Sequence, residues 1–119
     1  MKIAVTSKGT DLDSQVDPRF GRAAYILIVD SEGFDFEVMD NEKNANAFKG
    51  AGIQAASMIS NTGAEVLLTG FCGPNAFKTL QAAKIGVANE AKGSVRDAVS
   101  AYLEGKLPLS DRPSAEAHW

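Results

Sequence analysis

The chain of 119 residues carries 45% hydrophobic and 23% charged residues, the balance of one globular domain able to bury about two-thirds of its unfolded surface. Its net charge of −3 does not supply the basic face that nucleic acid needs, and no apolar run reaches membrane-spanning length, so neither partner is expected and the cytoplasm is the expected compartment. A single cysteine, Cys72, and a single histidine, His118, exclude an internal disulfide and a zinc site built from several soft ligands of one chain. A transition metal would have to bring most of its ligands with it, as a preformed sulfide cluster does, or take them from a second chain.

In chain order, residues 2–6 read as a short strand. Residues 7–21 form a polar loop punctuated by Gly, Asp and Pro, and loops of about 12 to 15 residues in a compact domain are uncommon and often functional. Within it, Asp17-Pro18-Arg19-Phe20-Gly21-Arg22 sets two guanidiniums beside a proline and a glycine. Guanidinium is always charged and offers directed N–H donors, so Arg19 and Arg22 make a candidate anion clamp. The alternative is a pair of solvated or ion-paired arginines, with Asp11, Asp13 and Asp17 as partners.

Residues 25–30 are a near-continuous apolar run suited to a strand covered on both faces. Residues 34–39 alternate apolar and acidic, which predicts a half-exposed strand with Phe34, Phe36 and Val38 facing the core. Ser31-Glu32-Gly33 would close the hairpin. After an Asn-rich stretch, Gly50-Ala51-Gly52 opens a helix whose Ile53, Ala56 and Ile59 are expected to face inward, ending at Asn61-Thr62-Gly63. Gly50 and Gly52 either present backbone donors to an anion or serve as a flexible helix entry.

Residues 65–69 form another apolar strand, followed by Thr69-Gly70-Phe71-Cys72-Gly73-Pro74-Asn75. Gly73 is placed as a helix cap and Pro74 at the first helical position, with Ala76, Phe77, Leu80 and Ala83 as the buried stripe. The unpaired N–H groups of such a helix start favour negative charge, and Gly70 and Gly73 permit close backbone approach to a bulky anion beside Asn75. Cys72 is either a ligand whose pKa the helix N-terminus lowers or a small buried residue in a tight turn. Phe20 and Phe71 either wall the pocket against water or belong to the core.

Residues 85–88 read as a short strand. Ser94-Val95-Arg96-Asp97 resembles a capping box with Asp in place of Glu or Gln, leading a helix with Val95, Ala98, Val99, Tyr102 and Leu103 on its apolar face and Gly105 as its stop. The domain is expected over residues 1–105, with 106–119, including His118, as an extended or disordered tail. These elements predict an α/β fold on a five-stranded mixed sheet, the first, fourth and fifth strands parallel and the hairpin strands completing one edge. The segments after Thr6, Thr69 and Ala88 then emerge at one end, where open α/β sheets bind ligands.

Four motifs in order resemble the dinitrogenase iron-molybdenum cofactor accessory family across residues 1 to about 105. They are Met1-Lys2-Ile3-Ala4-Val5, Val16-Asp17-Pro18-Arg19-Phe20-Gly21-Arg22, Gly50-Ala51-Gly52-Ile53-Gln54-Ala55-Ala56 and Leu68-Thr69-Gly70-Phe71-Cys72-Gly73-Pro74-Asn75-Ala76. The resemblance implies a ribonuclease H-like three-layer α/β/α fold and non-enzymatic binding or carriage of a cluster rather than turnover of a metabolite. In one branch of the family the cargo implied is an anionic molybdenum-copper sulfide cluster, held mainly by backbone amides and arginines. The iron-molybdenum cofactor or a precursor is the alternative. The candidate site residues are Ser7, Arg19, Phe20, Gly21, Arg22, Gly50, Gly52, Gly70, Phe71, Cys72, Gly73 and Asn75, with Cys72 as the candidate metal ligand.

Two other functions compete. Cys72 could serve a redox or nucleophilic enzyme, although no base is visible near it because His118 falls in the expected tail. The long loop or the tail could instead make this a regulatory protein-interaction domain. Asp11, Asp13 and Asp17 do not suggest a nuclease, since they share one loop rather than several strands.

Overall fold

In the computed structural model, residues 1–47 and 50–110 are described, so His118 lies outside the described residues. The elements are β1 (Lys2–Ser7), β2 (Tyr25–Asp30), β3 (Phe36–Asp40), α1 (Glu42–Ala45), α2 (Ala51–Ser60), β4 (Val66–Leu68), α3 (Pro74–Ala82), β5 (Gly86–Ala88) and α4 (Val95–Leu103). They build a five-stranded mixed sheet in the order β3-β2-β1-β4-β5. β1, β4 and β5 run parallel, and β2 and β3 are added antiparallel at one edge, as the sequence pattern predicts.

The central strands read as unbroken apolar runs because both of their faces are covered. Ala4, Ile26, Ile28, Leu67 and Val87 pack with Ala55, Ala56 and Ile59 of α2 and with Ala76, Phe77 and Leu80 of α3. On the opposite face Ile3, Val5, Leu27, Val29, Val66 and Leu68 pack with Val95, Ala98 and Val99 of α4. Helices therefore sandwich the sheet, and each fully buried Ile, Leu or Val contributes about 1.5–3 kcal/mol.

The periphery departs from the sequence expectation. Phe36 and Val38 are 38% and 42% exposed, not core. They share a face with Val29 and Leu27 through the register Val29↔Phe36 and Leu27↔Val38, but β3 is the edge strand and the helical layer does not cover it. Met39, on the other face, packs against the α2/α3 core instead. Phe34 lies in the turn with φ of 61° and packs partly against the α4 side.

In α2 the buried residues are Ala51, Ala55, Ala56 and Ile59, whereas Ile53 is 42% exposed. The helix begins at Ala51, and its small residues turn toward α3. In α3 the helix stops at Ala82, leaving Ala83 as an exposed C-cap. Leu103, in the last turn of α4, is also exposed. Residues 106–110, in neither helix nor strand, run beside β5: Ser110 N–H donates to Val87 O at 2.7 Å, and Leu109 lies over Gly86.

Candidate functional site

The long loop after β1 is tied to the sheet end by main-chain contacts. Asp17 N–H donates to Thr6 O at 2.9 Å, Val16 N–H to Gly93 O at 2.9 Å, and Phe71 N–H to Pro18 O at 2.7 Å. The side chain of Thr6 lies 2.6 Å from Asp17 O and 2.9 Å from Thr69 Oγ1, joining the ends of β1 and β4 to the loop through buried hydroxyls. The first and fourth strands thus deliver their loops to one end, as expected.

Glycines let these segments interlock. A Cβ on Gly70 would stand 2.6 Å from Pro18 Cα, and one on Gly21 would stand 2.8 Å from Gly52 Cα and N. Gly21 also has φ of 89°, which a side chain tolerates poorly. The Asp17 to Arg22 motif is therefore pressed against both of the other glycine segments.

Between α2 and α3 this packing leaves a cavity of about 190 Å³ lined by Phe20, Arg22, Gly50, Gly52, Gly73 and Asn75, with Ala51, Ile53, Pro74 and Ala76 completing it. Gly50, in the left-handed region at φ of 79°, is the N-cap of α2, and Gly73 is the N-cap of α3 with Pro74 at its first position. Neither helix start is capped by a side chain. Two sets of first-turn N–H groups thus converge on one cavity, and the positive ends of two helix dipoles with them. Neither first turn contains an acidic residue to oppose an anion.

Arg22 lines this cavity while its Nη1 donates to Ala45 O at 2.9 Å and to Ala47 O at 2.8 Å. It holds the segment after β3 against the cavity wall. Buried Asn41 helps, donating through Nδ2 to Ala23 O at 2.8 Å and accepting at Oδ1 from Asn44 Nδ2 at 2.9 Å. The Asn-rich composition of residues 40–49 was the sequence signal for this support, and its tertiary partners were not readable. Phe20 packs in the α2/α3 core and also lines this cavity.

The other expected residues lie elsewhere. Arg19 is not among the residues lining the cavity, and its Nε lies 3.6 Å from Asp17 Oδ1. Ser7 is buried, donating to Gly9 O at 2.9 Å and accepting from Gly9 N–H at 3.2 Å. Gly21 backs the cavity through Gly52 without lining it. Gly70 and Phe71 border a larger groove of about 710 Å³ on the α4 side, where Ala98, Ala101, Leu107 and Leu109 are joined by Lys92 and Lys106. Its lining mixes apolar and polar residues, and no helix start is among them, whereas two open onto the smaller cavity.

Cys72 does not line the small cavity. Its side chain is fully buried in the α2/α3 core, and burial pushes the thiol up to about 12, the opposite direction from the lowering expected of a helix N-terminus. Among the described residues no three His, Cys, Asp or Glu side chains gather as a metal-ligand set. No helix of the described residues is long and apolar enough to cross a membrane.

Fold and cavity define an α/β protein whose mixed sheet brings two uncapped helix starts and an arginine to one place. The family described as "Dinitrogenase iron-molybdenum cofactor" matches residues 1–105, and the chain belongs to that family. It is similar to the orange protein of Desulfovibrio gigas, solved in its apo form, with 46% identity, 95% of each chain covered and a TM-score of 0.92. A Thermotoga protein of the DUF35 family, solved by NMR, is 36% identical over 97% of each chain with a TM-score of 0.83. An uncharacterized protein of Methanocaldococcus jannaschii is 29% identical over 110 residues, 90% of this chain and 89% of its own. The fold matches that of the orange protein.

Proposed function

We propose that the protein binds and carries an anionic molybdenum-copper sulfide cluster in the cavity between α2 and α3, without catalysing a reaction. The observation that carries this is the convergence of two helix N-termini, neither capped by a side chain, on a cavity bordered by Arg22. A sulfide cluster brings its own bridging ligands and net negative charge, so it needs an outer shell of donors rather than a set of thiolates. Gly50, Gly52, Gly73 and Asn75 offer main-chain approach, and Arg22 adds fixed positive charge. Phe20 shields one side from water. An iron-molybdenum cofactor or precursor would use the same donors, and the family description favours keeping it as the alternative cargo.

Burial argues against the enzyme reading, because a thiol with its pKa pushed up to about 12 is neutral at physiological pH and a poor nucleophile. In this proposal Cys72 shapes the core beneath the α3 start and is not needed as a ligand. The deciding experiment is reconstitution of the apoprotein with tetrathiomolybdate and a copper(I) salt. A stoichiometric molybdenum and copper content with a visible charge-transfer band is expected. A colourless protein without bound molybdenum sinks the proposal.

A further inference from the structure

At one sheet edge β3 pairs with β2, and among the described residues the backbone groups on its outer side have no strand partner. The strand, Phe36-Glu37-Val38-Met39-Asp40, contains neither proline nor lysine, residues that commonly protect such edges. Phe36 and Val38 stand exposed side by side on one face. Around them the chain places Asp30, Glu32, Asp35, Glu37, Asp40 and Glu42 with no lysine or arginine between residues 30 and 42. That local charge is twice the net charge of the whole chain and of the same sign.

None of these carboxylates makes an ion pair among the described residues. Lys2 borders the start of the strand, where a depression of about 260 Å³ is lined also by Ile28, Asp30, Asp35, Phe36 and Glu37. Its ammonium donates to Thr62 O at 3.4 Å. The Met1 ammonium donates to Ser31 Oγ at 3.1 Å beside Asp30, and six carboxylates against these two cations leave net negative charge for another molecule to meet.

We propose that the outer edge of β3 receives an extended segment of another protein, alternating lysine or arginine with apolar residues, as a sixth strand. Main-chain hydrogen bonds to β3 would give the pairing its direction, and alternate side chains would reach Phe36 and Val38 on one face and Glu37 on the other. Charge selects the occupant. A second copy of this chain would set carboxylates opposite carboxylates, which destabilises cross-strand pairs, whereas a basic strand would be attracted.

The test is titration of the full chain with an acetylated Lys-Val-Lys-Val-Lys-Val peptide, alongside a control of equal charge in which the central valine is proline. Saturable binding of the first peptide is expected, with slowed hydrogen exchange at β3 amides and binding at least about tenfold weaker for the control, since proline removes a ladder donor. Glu37→Lys and Val38→Lys, both at exposed positions, should each weaken binding by a similar factor while leaving the circular dichroism spectrum unchanged. Hydrogen exchange on the unsubstituted protein keeps the test decisive if a variant misfolds. Equal binding of the proline control, absence of protection at β3, or a concentration-dependent dimer abolished by Val38→Lys would each overturn the proposal.

Discussion

A Cβ placed on Gly21 would stand 2.8 Å from the Cα of Gly52, so the turn that ends the Asp17 to Arg22 motif and the first turn of α2 touch backbone to backbone. Gly21 also has φ of 89°. Gly21→Ala therefore combines a disfavoured backbone conformation with a clash against atoms that cannot swing aside. It should cost about 2–5 kcal/mol in denaturant unfolding. Gly33 supplies the comparison, with φ of 85° and nothing near its missing Cβ, so Gly33→Ala should cost only about 1–2 kcal/mol. Equal costs for the two would show that the Gly21 contact with α2 is dispensable.

Arg22 and Arg19 should separate under substitution. Arg22→Ala removes the donors to Ala45 O and Ala47 O and one wall of the small cavity. Hydrogen bonds to a charged donor are worth about 1.5–3 kcal/mol, so a stability loss of about 1–3 kcal/mol is expected for this half-buried group. On the proposed function, molybdenum should also dissociate at least about tenfold faster, a difference of about 1.4 kcal/mol. Arg22→Lys should remain impaired, because the shorter side chain does not carry its ammonium to the position of Nη1 between the two carbonyls. Arg19→Ala, whose contact is a half-exposed pair with Asp17, should change stability by about 0–1 kcal/mol and retain the cluster. Metal analysis after gel filtration distinguishes these outcomes.

What could be read from the sequence was local. Proline suits the first helical position because its missing N–H has no partner there anyway, and α3 begins at Pro74 with Gly73 as its N-cap. Ser94 followed by Asp97 encodes a cap, and Asp97 N–H donates to Ser94 Oγ at 3.0 Å. The facing of β3 was not legible, because alternation in Phe36 and Val38 shows which side chains share a face but not whether a helix lies above it. The rotation of α2 was hidden for a related reason: Ile53 is more apolar than Ala51 or Ala55, but close packing on α3 favours the small side chains. The site divides in the same way. Helix starts at Gly50 and Gly73 are sequence signals, whereas the capture of Ala45 and Ala47 carbonyls by Arg22 joins residues more than twenty positions apart.

Cys72 gives a pH prediction. Its thiol lies above its ordinary 9.0, at about 12, because burial disfavours the thiolate. The unfolded chain therefore releases this proton at lower pH than the folded one. The resulting stabilisation is present in full below about 9 and is lost as pH rises toward 12. Unfolding midpoints measured from pH 8 to 11 should fall more steeply for the unsubstituted protein than for Cys72→Ala, even if the variant starts lower because of its smaller side chain. Iodoacetamide at pH 8 should label Cys72 at least about a hundredfold faster in denaturant than in buffer. Rapid labelling of the folded protein would restore Cys72 as a reactive thiol.

The hydroxyls of Thr6 and Thr69 offer a test of how the loop is fastened. Thr6 lies 2.6 Å from Asp17 O and 2.9 Å from Thr69 Oγ1, and a hydroxyl has one proton to give. The carbonyl can only accept, so Thr6 donates to Asp17 O and Thr69 donates to Thr6. Thr6→Val would strand two buried groups, the Asp17 carbonyl and the Thr69 hydroxyl, and each unsatisfied group costs about 1–3 kcal/mol. Thr69→Val removes one donor and leaves Thr6 still bonded to the loop, so its cost should be about half as large or less. Under the proposed function the two variants should also differ at the cluster: releasing Asp17 frees the segment that sets Phe20 and Arg22, so Thr6→Val should shorten cluster retention while Thr69→Val should not. Denaturant unfolding with molybdenum analysis of both variants checks this, and identical behaviour would mean that the loop is positioned by the Pro18 contact with Gly70 instead.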